Sequence, residues 1–429
     1  MKKVIRGEVV SFGEDLRVAL HLEKGAVAVD ERGRIGWVGE AAKLPEDWRS
    51  APVEDHGSKL VLPGFIDAHI HFPQYRMLAA PGKDLLDWLR RFTFPEEARY
   101  ADAGYAAAAA DAFLSRLFSH GTTAALAFCS VHKACAEALF TAATSANMAL
   151  VTGKTMMDRN AIPAVQDTPE TGARESEELY HAWHGKGRNR YAVTPRFAIT
   201  SSEAQLKLSG ELLAGLSGAL MQTHISESAG EIAFVKELFP TSKDYTDVYD
   251  RFGLLGPRSI FAHGIHLNER EAKRFSESGS SVIHCPTSTT FLGSGLMSMP
   301  YLRDRARPVA LGIATDVGGG TSYSMLQTMG ETYKVQMLNG YKPQAAELFA
   351  MATIGNAHRL HIATDTGSLD SGKFADVVVL DPEATPVLKA RHALSQSLED
   401  VLFALMILGD DRAVAATYVA GTCRHGRTG

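Results

Sequence analysis

Eight short apolar, β-branched runs alternating with helical stretches constrain the fold of this chain more than any other feature. The runs are Gly64–Ile70, Thr122–Phe128, Ala149–Lys154, Tyr191–Phe197, Ala219–His224, Ser259–His263, Ser281–Cys285 and Val309–Asp316. Helical patterns such as Lys133–Ala146, Glu203–Leu216, Glu231–Leu238 and Glu269–Glu277 separate most of them. Eight strands in βα alternation predict an α/β fold of the (β/α)8 TIM-like barrel type. The chain has 429 residues, enough for a large barrel plus a small accessory unit.

The two ends of the chain have a different character. Short strands separated by glycine turns occupy Lys3–Ser11, Ala26–Val29, Ile35–Val38 and Lys59–Leu62, and similar strands recur at Ala375–Leu380 and Ala415–Val419. These segments are expected to pair into one small β-sandwich beside the barrel. The expected division is residues 1–62 with 368–429 for the sandwich and 63–367 for the barrel.

Composition narrows the function classes. Hydrophobic residues make up 45% and charged residues 22%, so a sizeable core is affordable and disorder is not expected. A net charge of -5 supplies no basic field for a nucleic-acid polymer, whereas a small neutral base remains compatible. The four cysteines, Cys129, Cys135, Cys285 and Cys423, form no C-x-x-C pair and suit a reducing compartment. Neither a signal peptide nor an apolar run of membrane-spanning length is evident, so a cytoplasmic location without membrane contact is the expectation.

Several polar residues fall where these strands end. The first run closes on Asp67-Ala68-His69-Ile70-His71, the fifth on His224-Ile225-Ser226-Glu227, the sixth on His263 and the eighth on Thr315-Asp316. Alternate residues of a strand share a face, so His69 and His71 can grip one ion from one side. A barrel gathers its strand ends at one mouth, where active sites sit. Three imidazoles and a carboxylate delivered there suit zinc or iron. Each residue alone has a bland reading: H-x-H as a strand-end pair, His224 as a core histidine, Asp316 as a helix cap. Their coincidence at one end of separate strands favours a shared metal site. His284, inside the seventh run beside Cys285-Pro286, is read as packing. Gly318-Gly319-Gly320 gives the loop after the eighth strand room to approach a ligand.

The segment Pro63-Gly64-Phe65-Ile66-Asp67-Ala68-His69-Ile70-His71 resembles the opening metal motif of the amidohydrolases. Further stretches resemble the guanine deaminases among them. They are His71-Phe72-Pro73-Gln74-Tyr75 followed by Leu85-Leu86-Asp87-Trp88-Leu89 and Phe92-Thr93-Phe94-Pro95; Pro195-Arg196-Phe197; Thr223-His224-Ile225-Ser226-Glu227; and Thr315-Asp316 through Met325-Leu326. The tail Leu408-Gly409-Asp410-Asp411-Arg412 also fits, and Ala68 departs from the family's usual threonine.

The resemblance implies zinc-dependent conversion of guanine to xanthine and ammonia by a cytoplasmic homodimer holding one Zn2+ per chain, with iron as the other candidate ion. His69, His71, His224 and Asp316 would ligate the metal. Asp316 would also carry the proton of the attacking water to the departing amine. Glu227 would protonate the ring nitrogen, and His263 would hydrogen-bond the water or the tetrahedral intermediate. Substrate contacts would fall to Gln74, Arg196 and Phe197, together with His71, His224, Glu227 and Asp316. Arg196 would donate to the purine carbonyl, Gln74 would both donate and accept, and Phe197 would offer an aromatic face. The alternative for Arg196 is a salt bridge to a helix behind the barrel, and for Trp88 core packing in place of lining the pocket. The rival activities are deamination of 8-oxoguanine, a pterin or another aminated heterocycle, with a catalytically inactive binding scaffold further off.

Overall fold

A computed structural model describes residues 2–427. The N-terminal strands are β1 (Lys3–Phe12), β2 (Val18–Val29), β3 (Ile35–Glu40) and β4 (Val53–Pro63). The barrel strands follow as β5 (Phe65–His71), β6 (Thr122–Phe128), β7 (Ala149–Gly153), β9 (Asn189–Pro195), β10 (Leu220–Ile225), β11 (Ser259–His263), β12 (Ser281–His284) and β13 (Ala310–Ile313). A two-residue strand, β8 (Thr155–Met156), pairs with β9. The chain ends with β14 (Val377–Leu380), β15 (Val414–Val419) and β16 (Thr422–Gly426).

The eight barrel strands are parallel and neighbour one another in sequence order from β5 to β13. Every residue of β5, β6, β7, β10, β11 and β12 is buried, as required of strands covered by a helix layer outside and packed side chains inside. Past the end of β13 the ring closes onto β5. Asp316 donates its backbone N–H to the His69 carbonyl at 3.0 Å, and His71 donates to the Val317 carbonyl at 2.7 Å. Asn356 clasps the same seam: its amide donates to the carbonyls of Ile66 (2.7 Å) and Ile313 (2.8 Å), and its oxygen accepts from the Ile313 N–H at 3.1 Å. The metal-suited residues of the first and eighth strands are thus fixed against each other by backbone bonds.

The two chain ends build one seven-stranded sheet, in the order β16-β15-β14-β4-β1-β2-β3. N-terminal β4 lies in its middle, parallel to β1 on one side and antiparallel to C-terminal β14 on the other, with Leu60 opposite Leu380 and Pro63 opposite Val377. The sheet folds back on itself as a sandwich does, since the β2–β3 turn bridges Phe374 just ahead of β14. Ile5, Val9, Val27, Val61, Val377 and Val379 share one apolar core there. Sheet and barrel meet where β4 runs into β5 through Gly64. A Cβ on that residue would lie 2.2 Å from Thr123 Oγ1, so only glycine allows the approach.

Three strands reach well beyond the sequence expectation, among them β4, which begins at Val53 with an exposed and half-buried first half. β2 begins at Val18, because its first half alternates exposed and half-buried residues and lacks an apolar run. β16 is a polar edge strand, of the kind that carries no hydrophobic signal.

Candidate active site

The strand ends deliver the site. His69 and His71 leave β5 on one face, and His224 ends β10 one residue before its close. Ser226, His263 and Asp316 have φ of 49°, 72° and 52°. This left-handed turn stops the strand and costs non-glycine residues of order 1–3 kcal/mol each. Of the three, His263 and Asp316 carry their side chains into the barrel mouth.

The ligand atoms of His69, His71 and His224 lie within 4.8 Å of one another, as do those of His69, His263 and Asp316. Asp316 Oδ1 stands 3.2 Å from His69 Nε2 and 3.3 Å from His71 Nε2, while Oδ2 faces His263 Nε2 at 3.9 Å. The Nε2 atoms of His71 and His224 approach to 3.1 Å. His224 Nδ1 contacts the Arg196 carbonyl at 2.7 Å, which places its proton on Nδ1 and leaves Nε2 with a lone pair. His69 Nε2 is buried without a hydrogen bond. Imidazole nitrogens and a carboxylate converging on one point are what a divalent cation needs, and the residues fit a metal.

The electrostatics agree. Burial holds His71 down to about 4, and burial with the neighbouring His69 and His71 keeps His224 well below the usual imidazole range. Both rings are therefore neutral, the form that ligates. Burial pushes the Asp316 carboxyl up, but His69 and His71 outweigh it and hold the group well below the ordinary carboxylate range. Glu227 behaves oppositely. Burial first, then the carboxylates of Glu231 and Asp316, push it well above its ordinary value. Two acids in one site are thus driven apart, one ionised and one able to hold a proton. Glu227 Oε2 is 3.4 Å from His263 Nε2. Its backbone N–H donates to Glu231 Oε2 at 2.7 Å, where Glu231 completes the capping box of helix Ala229–Leu238.

A cavity opens beside this cluster. His71, Gln74, Arg196, Phe197, His224, Glu227, His263 and Asp316 all line it. Of the residues expected from the sequence, only His69 stands behind the wall, within the ligand cluster. Trp88 lines the cavity, and its indole N–H has no partner. Arg196 does form a salt bridge to a helix, but within the site: its Nη1 bonds both oxygens of Glu97 at 2.9 and 2.8 Å.

Sequence reasoning missed Glu97 and Ser288, whereas Gly319 belongs to the glycine run expected to approach a ligand. Ser288 and Gly319 line the cavity, and a Cβ on Gly319 would lie 2.7 Å from Ser288 Oγ. Glu97 sits in Pro95-Glu96-Glu97, where two adjacent acids on a helix read as a solvated face. Its proximity to the motif ending at Pro95 was the available signal. His284 is buried with neither ring nitrogen hydrogen-bonded, and burial lowers it to about 3.

Residues 60–423 match the amidohydrolase family, and the chain belongs to it. Within that family it is similar to proteins described as guanine deaminases. The guanine deaminase of Escherichia coli K12 is 42% identical over 429 residues, covering 98% of this chain and 97% of that one. The crystal structure of guanine deaminase from Bradyrhizobium japonicum superposes with a TM-score of 0.95 at 34% identity, covering both chains fully. A guanine deaminase from C. acetobutylicum, solved with guanine in its active site, gives 0.88 at 26% identity and covers 99% of this chain and 100% of that one.

Proposed function

We propose that this amidohydrolase deaminates guanine, adding water at the amine-bearing ring carbon to give xanthine and ammonia. The observation that carries the reading is convergence. One cavity is lined by His71, His224 and Asp316 of the ligand cluster, by a carboxyl able to hold a proton, Glu227, and by a donor-only side chain, Arg196. The likeness to guanine deaminases along the whole chain supports it.

His69, His71, His224 and Asp316 hold one Zn2+ in this reading. A divalent ion there supplies Lewis acidity and makes water nucleophilic near neutral pH. Asp316 divides its oxygens: Oδ1 faces His69 and His71, and Oδ2 is turned toward His263. Oδ2 accepts the proton of the attacking water and returns it to the departing amine. Glu227 donates its proton to the ring nitrogen beside the attacked carbon, so the C–O bond forms as charge on the ring is neutralised. His263, within reach of both carboxylates, holds the tetrahedral intermediate by a hydrogen bond. The carbon–nitrogen bond then breaks, ammonia leaves with the proton from Asp316, and the hydroxyl proton of the intermediate passes to Glu227 as the carbonyl forms.

Arg196 and Gln74 select the base. A guanidinium only donates, and guanine's carbonyl accepts; adenine presents an amine at that edge. Phe197 packs along the ring face. Zn2+ as the ion and a homodimer complete the reading on the strength of the sequence resemblance, a cytoplasmic location on the cysteine usage, and the division into 1–62 with 368–429 and 63–367 on the strand pattern of the chain. Among the described residues no helix is long and apolar enough to cross a membrane.

The decisive experiment compares kcat/KM for guanine, 8-oxoguanine, adenine and a pterin, with metal content measured on the same preparation. Guanine is expected to exceed adenine by roughly 10⁴-fold. Equal or higher efficiency on any other member of the panel overturns the assignment.

A further inference from the structure

The stretch Leu85–Pro95 carries much of the family likeness, yet the chemistry above gives it no task. Its continuation does. Helix Phe94–Ala98 places Glu97, a fully buried carboxylate, beneath the recognition residues. Oε1 accepts from Gln74 Nε2 at 2.9 Å and from Arg196 Nη1 at 2.9 Å, and Oε2 accepts from the same Nη1 at 2.8 Å. Phe94, from the same helix, has its ring centroid 5.7 Å from the Arg196 guanidinium carbon. Gln74 is fixed at its other end, where Oε1 accepts from the Gly318 N–H at 3.2 Å. An amide with its nitrogen on a carboxylate and its oxygen on a backbone N–H cannot flip without losing both bonds. Gln74 and Arg196 are thereby held in one register by a single side chain that does not itself line the cavity.

We infer that Glu97 is a positioning residue for specificity: it locks Gln74 and Arg196 together and cancels the guanidinium charge, so the pocket takes a neutral purine and releases an anionic product. The inference rests on the guanine reading. Guanine is neutral near pH 7. Its deamination product carries a second carbonyl, is more acidic, and exists partly as an anion. A buried guanidinium without a counter-charge would grip that anion by a charge-assisted bond in a weakly screening site. Paired with Glu97, Arg196 keeps the donor geometry a carbonyl needs and loses the net charge that would retain the product.

The test compares the holoenzyme with Glu97→Gln and Glu97→Asp, using equilibrium binding of xanthine and of hypoxanthine at pH 7.5. Hypoxanthine keeps the carbonyl edge and is almost wholly neutral there. Glu97→Gln, which removes one negative charge and little volume, should shift the xanthine/hypoxanthine affinity ratio toward xanthine by at least about tenfold. Glu97→Asp keeps the charge but shortens its reach; it should hold that ratio within about twofold of the parent while KM for guanine rises at least about fivefold and kcat moves less. A parent-like ratio in folded, metal-loaded Glu97→Gln overturns the inference. If that variant does not fold, an unchanged KM in Glu97→Asp overturns it instead. A parent enzyme that binds both purines but leaves guanine intact refutes the substrate reading, and the binding ratio still decides the role of Glu97.

Discussion

Replacing Arg196 with methionine separates what this arginine does for the fold from what it does for the substrate. Its Nη1 contacts both oxygens of Glu97, and both side chains are almost wholly buried. In Arg196→Met the carboxylate keeps only the Gln74 amide as partner. Removing one member of a buried pair typically costs about 3–5 kcal/mol. Chemical denaturation at pH 7 should therefore show a destabilisation of about 3 kcal/mol. The double variant Arg196→Met/Glu97→Gln removes both charges and should recover most of that stability. Its kcat/KM for guanine should nevertheless stay roughly 10²-fold below the parent, the worth of a lost charged hydrogen bond to the substrate. A double variant that regains both stability and parental efficiency would show that Arg196 serves the fold alone, and the recognition argument would fail.

Three further outcomes follow from the geometry. Glu227→Gln should keep metal content near normal while kcat falls by roughly 10²–10⁴-fold; because burial and the Glu231 and Asp316 carboxylates raise the pKa of Glu227, parental kcat should decline as pH rises through that raised value, and a near-normal kcat in the variant rules out the proton-donor role. His69→Ala should lower metal content, measured by elemental analysis, together with activity, and full occupancy with unchanged turnover would remove His69 from the ligand set. His284, lowered by burial to about 3 from 6.5, is neutral in the fold but protonates in the unfolded chain. Its contribution is therefore complete above pH 6.5 and lost as pH falls toward 3, reaching about 2 kcal/mol at pH 5; His284→Asn should flatten the stability change between pH 7 and 5, and an unaltered slope would falsify this linkage.

The barrel and its metal-suited cluster were legible in the sequence for a definite reason. Parallel strands buried on both faces have to be apolar throughout, so a histidine or aspartate at the end of such a run, as at His69, His224 or Asp316, stands out against its surroundings. What the sequence concealed lies on short helices and loops. Glu97 neighbours Glu96, and the two look alike as letters. Yet Glu96 bonds Arg76 and Tyr105 in a part-exposed cluster while Glu97 is sealed beneath Arg196. Only the tertiary approach of β9 to helix Phe94–Ala98 tells them apart. Ser288 was hidden likewise, since a serine near a helix start has many ordinary uses. At the chain ends, strands with apolar runs were readable, whereas the polar first half of β2 and the edge strand β16 were not.

The central position of β4 has a consequence for synthesis. Its partner β14 lies 320 residues downstream, counting from Leu60 to Leu380. At about 5–20 residues per second, translation leaves that edge unpaired for roughly 16–64 s after β4 has emerged. Throughout this interval β1, β2 and β4 can pair with one another, but β4 presents open N–H and C=O groups and the apolar Leu60, Val61 and Leu62 to any neighbouring strand. The barrel that emerges next grows directly out of β5, so its first strand is tethered to a half-built sheet. The N-terminal strands are thus made before the barrel and completed only after it. A polysome carrying many such chains holds a row of identical unsatisfied edges, and their protection falls to chaperones or to the ribosome's own spacing until the C-terminal strands arrive.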